Sequence, residues 1–500
     1  MEVSMRNKNV KSFVNILLAS VLSLLLISCA QPVQKEGVWY KHDGKPYTPT
    51  LATDYNQQGH REEITEIIDT AIDLNGRIHL VGSSLNGYSV WGYLEGNTIK
   101  GTFGETDDFN DLSNLRTPVE MYDPLIEIDD LNRPHILFIN NDRLCHCYIK
   151  GREWYSTDGE PINDESDASK CCITDYEGHN MRITYDIALD SYWNPHITYS
   201  FKLEEIAYVA YIHWDGSDWV GFDSTVIDQN SDDWLSEDEM YEYARVSEHD
   251  KIYKNRIQVS CPKLEIDSND HPHIVWLQYF DPETDTVGIV YRYWENDRWN
   301  SIQNEDGSPY VVTVNPYEAG KYIYYIDLKL DNNDTPHIIY DDMSMGLVSI
   351  RYLTLKDNTW KGIYGEEHPN NLVFKYDKIY RHNRFTFAID NHNHPHFMWC
   401  EVPGYESFAL VTDAHYLRFD GKYLLSLSGA SYRKTHNPIS INVTQSLNVQ
   451  ETSMSLDNDG NPHLVIVTTD GLNYLHGKPA EWKDMLFDQF QDIIEYDEED

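Results

Sequence analysis

The sequence predicts an all-β chain folded as a seven-bladed β-propeller, with four antiparallel strands per blade. Three observations carry this. First, a motif recurs seven times: an apolar residue, an aspartate, and a histidine six positions on, followed by another apolar residue. It stands at Asp73/His79, Asp129/His135, Asp190/His196, Asp267/His273, Asp331/His337, Asp390/His396 and Asp457/His463, and six of the seven have proline before the histidine. Second, each copy has the same sequel. An aromatic often follows three residues after the histidine (Phe138, Tyr199, Trp276, Tyr340, Trp399). A second alternating run then reaches a tyrosine (Tyr148, Tyr211, Tyr293, Tyr352, Tyr416, Tyr474), and a turn leads to a tryptophan (Trp154, Trp219, Trp299, Trp360, Trp482). Third, consecutive copies lie 56 to 77 residues apart, room for four short strands and their turns. Alternation of apolar and polar residues marks the strands, and Asp/Asn/Gly/Pro clusters mark the turns. One such unit cannot bury both its faces, but stacking units in a closed ring does so.

The elements follow in order. Residues 1–28 read as an export signal: Lys8 and Lys11 precede a mostly apolar run from Phe13 to Ile27, too short for a comfortable membrane span. It ends in Leu-Ile-Ser-Cys, which fits lipidation of Cys29, and no aspartate follows to hold the protein at an inner membrane. Residues 29–36 are then a lipidated tether, and the expected location is the bacterial envelope, on the outer membrane. Residues 37–490 are the propeller. The stretch from Val38 to Tyr47 looks like the last strand of a blade and is expected to close the ring. The final 491–500 form an acidic tail. The longest gap between motifs holds the acidic run from Gln229 to Asp250, read as a solvated loop rather than a lid.

The whole chain carries 82 acidic and 39 basic side chains, a net charge of −43. Such a surface repels nucleic acid and anionic lipid headgroups, and nothing demands an obligate partner, so a monomer is expected. A residue needed seven times around one axis is scaffold rather than catalyst. The repeated aspartate is expected to hold the turn amides, and function is expected where blades differ.

Blades three to six differ at the starts of their innermost strands, which carry Arg182, Arg256, Lys321 and Arg384, with His382 beside the last. Before the second-run tyrosine stand Arg292, Arg351 and His415 in blades four to six. Guanidinium groups bind carboxylate or sulfate bidentately. With Tyr324, Trp276, Tyr340 and Trp399 nearby, these residues define a candidate site for an anionic polysaccharide or oligosaccharide; ordinary ion pairing of the arginines with local carboxylates is the alternative. Four cysteines close in sequence, Cys145, Cys147, Cys171 and Cys172, fit disulfides or a structural zinc site. No cofactor is expected beyond a structural zinc or calcium ion. The turns DNNDTP and DNDGNP resemble calcium loops but lack a terminal acidic ligand.

The Trp-containing stretches WYKHDGKP and WYSTDGEP, with the Asp-x4-Pro-His-Ile motif and the strand tyrosine, resemble the BNR-like propeller families of carbohydrate-active enzymes. These include ulvan lyases and relatives acting on rhamnose–glucuronate linkages, and the resemblance covers nearly all of the mature chain. It implies β-elimination at a uronic acid. An arginine (Arg292 or Arg351) would neutralise the carboxylate, His382 or His415 would take the C5 proton, and Tyr340 would protonate the leaving oxygen. The families' His-Asn pair has a partial match in His382–Asn383; their second histidine has none, and Val402 stands near its place. A capture protein without catalysis, and a glycoside hydrolase using two carboxylates, remain the other classes.

Overall fold

The structure is a computed structural model. It describes residues 38–41, 45–46, 65–84, 89–95, 98–106, 113–173, 184–203, 206–221, 261–281, 286–302, 310–314, 323, 325–344, 347–366, 372–375, 380–381, 385–400, 402–403, 414–429, 449–468 and 471–479.

Each motif folds into the hairpin between the innermost and second strands of one blade. The innermost strands are Thr65–Ile72, Tyr122–Ile128, Tyr185–Leu189, Lys263–Ile266, Ile326–Leu330, Phe385–Ile389 and Val449–Leu456. Seven antiparallel sheets follow, each ordered innermost, second, third, outermost. The seventh is completed from the other end of the chain. Val38–Lys41 pairs with Gly471–Lys478, Val38 lying opposite Lys478. The ring is therefore closed by the segment expected to close it, and Trp39 takes the outer-strand tryptophan position of blade 7. Trp482 lies outside the described residues.

The hairpin explains the motif. In all seven copies the residue three after the aspartate has positive φ: Gly76, Asn132, Trp193, Asp270, Asp334, Asn393 and Gly460. The aspartate Oδ1 accepts the backbone N–H groups two and four residues on, as Asp331 does from Asn333 and Thr335 at 2.8 and 2.9 Å. Its Oδ2 lies 3.3 to 3.6 Å from Nε2 of the motif histidine in every blade. With Nε2–H facing the carboxylate, Nδ1 accepts the hydroxyl of a third-strand tyrosine. His196–Tyr211, His273–Tyr291, His396–Tyr416 and His463–Tyr474 do so at 2.5 to 2.7 Å, and His337–Tyr352 forms the same bond. Thus the histidine bonds within its own blade.

That tyrosine position also joins blades. The outer-strand tryptophan of the next blade packs edge-on against it: Trp299 on Tyr211, Trp360 on Tyr291 and Trp39 on Tyr416, with centroids 5.4 to 5.7 Å apart and planes at 83 to 86°. Trp154 meets Trp91 in the same way, and Trp219 meets His146. The described apolar core falls into seven clusters, each shared by two neighbouring blades. Blade stacking is therefore where apolar surface leaves water.

Candidate functional site

The register of each blade fixes where the expected site residues stand. Tyr291, not Tyr293, is the blade 4 tyrosine equivalent to Tyr352 and Tyr416, because Tyr291 pairs two residues past the motif histidine, with Val275. In blade 2 the same position holds His146, opposite Leu137, rather than Tyr148. This corrects the alignment of the third strands. Arg351 pairs with Tyr340 and His415 with Trp399, the same rung of blades 5 and 6. Arg292 pairs with Ile274, two rungs nearer the motif turn. It is therefore not an equivalent of the other two. Strand alternation also puts each on a different seam. Ile274 packs with blade 3, Tyr340 with blade 4 and Trp399 with blade 5, and cross-strand partners share a face.

Burial corrects four further assignments. Trp276, Tyr340 and Trp399 are at most 1% exposed and belong to the blade seams. His415 is 1% exposed and stacked on Trp399 at 5.3 Å and 23°. None offers a face to a polymer chain, because the periodicity that marked them as aromatic also makes them the inward residues of their strands. Arg292 and Arg351 are half-buried. Arg182, Arg256, Lys321, Tyr324, His382 and Arg384 lie outside the described residues, as does Cys29. Flanking pairs locate the backbone on either side of His382. Arg381 is opposite Val402 and Phe385 is opposite Trp399, both at the end of blade 6 away from its motif turn.

The axial channel is the feature that sequence reasoning missed. On each innermost strand the residues four and two before the motif aspartate share a face, while those between are buried. The first tier is Asp69, Leu125, Asp186, Lys263, Asp327, Thr386 and Ser453. The second is Ala71, Glu127, Ala188, Glu265, Lys329, Ala388 and Ser455. All the charges come from blades 1 to 5. Lys263 meets Asp186 at 3.3 Å across the blade 3/4 seam, and Lys329 meets Glu265 across the next. Asp69 also accepts the Ile126 N–H at 3.0 Å, and Asp186 the Leu264 N–H at 2.9 Å. Charges on distant blades feel one another: Lys263 acts on Asp69, and Lys329 on Glu127. Burial pushes Glu127 up to about 8; Lys329 opposes this, while Glu265, Asp69 and Asp186 add to it. Burial likewise raises Asp69, Glu265 and Asp327. Lys263 and Lys329 are raised although burial opposes it, because the surrounding carboxylates outweigh that cost. The period-two pattern could have revealed this lining once the motif aspartates were aligned.

The four cysteines gather in the blade 1/2 seam, all buried. Cys145 Sγ and Cys172 Sγ are 3.1 Å apart, on residues paired as an isolated β-bridge. Burial pushes the Cys145, Cys147 and Cys171 thiols well up, with neighbouring cysteines adding to it. Among the described residues no group of three or more His, Cys, Asp or Glu side chains is placed to hold a metal ion. The zinc arrangement is therefore not formed; the geometry is that of a pair. The same holds for calcium at the motif turns, whose aspartates already accept backbone amides and face histidines.

No protein-family model and no curated protein matches the chain. Solved structures do. An ulvan lyase of polysaccharide lyase family PL25, bound to -[GlcA(1-4)Rha3S]-, is 10% identical over 88% of this chain and 93% of its own, with a TM-score of 0.45. The Aleuria aurantia lectin is 10% identical over 72% and 95%, with a TM-score of 0.36. Another polysaccharide lyase is 10% identical over 90% and 98%, with a TM-score of 0.33. The likeness is one of fold. Among the described residues no helix is long and apolar enough to cross a membrane.

Proposed function

We propose that the protein is an envelope-anchored, carbohydrate-active propeller that acts on uronic-acid-bearing polysaccharide by β-elimination. The observation that carries this is Arg351, a half-buried cation in a chain with few of them, paired with Tyr340 in blade 5, next to the blade whose sequence carries the His-Asn pair. Arg351 neutralises the substrate carboxylate, which acidifies the C5 proton. His382 takes that proton, since His415 is buried. The bond from C4 to the leaving oxygen breaks as the C4–C5 double bond forms, and the departing oxygen takes a proton from solvent water, Tyr340 being buried.

A second reading, capture without cleavage, draws on a specific observation. Tyr340 and His415 are both enclosed, which removes two proposed proton-transfer groups from the substrate. The test is incubation with glucuronate-containing polysaccharides while recording the near-ultraviolet absorbance of unsaturated uronate. Growth of that absorbance, lost in His382→Ala, supports the lyase. Binding without it supports capture, and new reducing ends without it mean hydrolysis.

A further inference from the structure

We propose that the motif-turn face of the propeller lies on the membrane, at blades 1 to 3, and that the opposite mouth faces outward to the substrate. The inference rests on the lipid anchor at Cys29.

Two independent observations meet on this face. One is where the described chain begins. Val38 lies opposite Lys478, and two rungs further in His476 pairs with the motif histidine His463. The closing strand therefore starts at the motif-turn face, in blade 7, which stands between blades 6 and 1. Nine residue steps separate Cys29 from Val38, at most about 30 Å of extended chain, so this face is the part of the body nearest the bilayer.

The other observation is what the face exposes there. The motif turns of blades 1, 2 and 3 present Leu74 at 56%, Leu131 at 52% and Tyr192 at 75% exposure. The corresponding positions in blades 4 to 7 are Ser268 and Asn269, Asn332 and Asn333, Asn391 and His392, and Asn458 and Asp459. The three apolar turns are contiguous. The Leu74 N–H donates to Asn132 Oδ1 at 2.8 Å, and the Arg133 guanidinium lies 5.5 Å from the Trp193 ring. The hairpin turns on this face carry Arg77, Arg133, Lys150 and Arg152 in blades 1 and 2 and no cation in blade 3, so the contact is apolar rather than electrostatic. A single lipid anchor gains from such a second, weak contact.

Hydroxyl-radical footprinting of the full-length protein on phosphatidylethanolamine/phosphatidylglycerol vesicles tests this, with Cys29→Ser protein in solution for comparison. Tyr122, 52% exposed at the opposite mouth, is the internal control. Oxidation of Leu74, Leu131 and Tyr192 should fall about fivefold on vesicles, with Tyr122 unchanged. Equal reactivity in the two forms, or protection of Tyr122 instead, overturns the orientation while the anchor stands. An N-terminal peptide without added lipid mass overturns the anchor, and the orientation with it.

Discussion

At the scale of single residues, the motif histidine and the blade-specific arginine look equally suited to chemistry in the sequence but differ in surroundings. His337 is 5% exposed, enclosed by the Asp331 carboxylate and the Tyr352 hydroxyl. Arg351 is half-buried one rung from that tyrosine, on the opposite face of the strand. Tyr352→Phe should therefore lower stability by about 1 kcal/mol through loss of a buried hydrogen bond, measured by urea unfolding, with affinity for uronate polymer unchanged. Arg351→Ala should weaken binding of anionic sugar about tenfold or more, since a charge-assisted contact contributes roughly 1.5–3 kcal/mol. Isothermal titration with anionic and neutral oligosaccharides checks this; equal loss for both would remove the carboxylate role. Arg292→Ala, two rungs nearer the motif turn in another seam, should cost stability rather than selectivity.

At the scale of elements, the closing strand and the cysteine bridge make separate claims. Trp39 is buried against Tyr416 and joins the two ends of the chain. Trp39→Ala should destabilise by roughly 3–5 kcal/mol, the usual cost of a large aromatic deleted from a core, and a thermal melt reads it. Cys145 and Cys172 should exchange with a disulfide such as oxidised glutathione. The protein disulfide then forms as the donor is reduced to two molecules of its thiol. Intact-mass analysis after alkylation should show two fewer labelled thiols, and full labelling of the unreduced, unfolded protein would contradict the pairing. Much of this scale was legible in the sequence. The Asp–His spacing gave the hairpins, and the Trp-Tyr-Lys segment from Trp39 gave the closure. What was not legible was register. A two-residue slip in blade 4 keeps the side chain on the same face, so alternation alone could not separate Tyr291 from Tyr293 or align Arg292. Burial was lost for a related reason: Trp276, Tyr340 and Trp399 signal a strand whether they face sugar or a neighbouring blade.

At the scale of the whole molecule, protonation acts on the frame and the channel with opposite signs. Burial alone would raise the motif aspartates, but their histidines and turn amides outweigh it and hold all seven low. Burial also lowers His79, His135 and His396 from 6.5. Folded values below unfolded ones give stability that is full above the unfolded pKa and lost as pH falls. Melting temperature should therefore decline from just below pH 6.5, and more steeply through the carboxylate range. Glu127 runs the other way. Raised from 4.5 to about 8, it favours the fold when protonated, and that contribution is lost as pH rises through 8. Glu127→Gln should raise the melting temperature at pH 9 relative to wild type and change it little at pH 4. The effect should be roughly 1–2 kcal/mol once channel water is allowed for. An equal shift at both pH values would mean the channel charge does not carry it.

The claim beneath all of this is that like residues build the wheel and unlike ones meet the substrate. The most direct measurement is affinity for a glucuronate polymer, taken with the unfolding free energy, for His337→Ala and Arg351→Ala. His337→Ala should lose stability while its folded fraction keeps wild-type affinity, and Arg351→Ala should keep stability and lose affinity. The reverse pattern, a stable His337→Ala that no longer binds and an Arg351→Ala that binds but melts early, would contradict it.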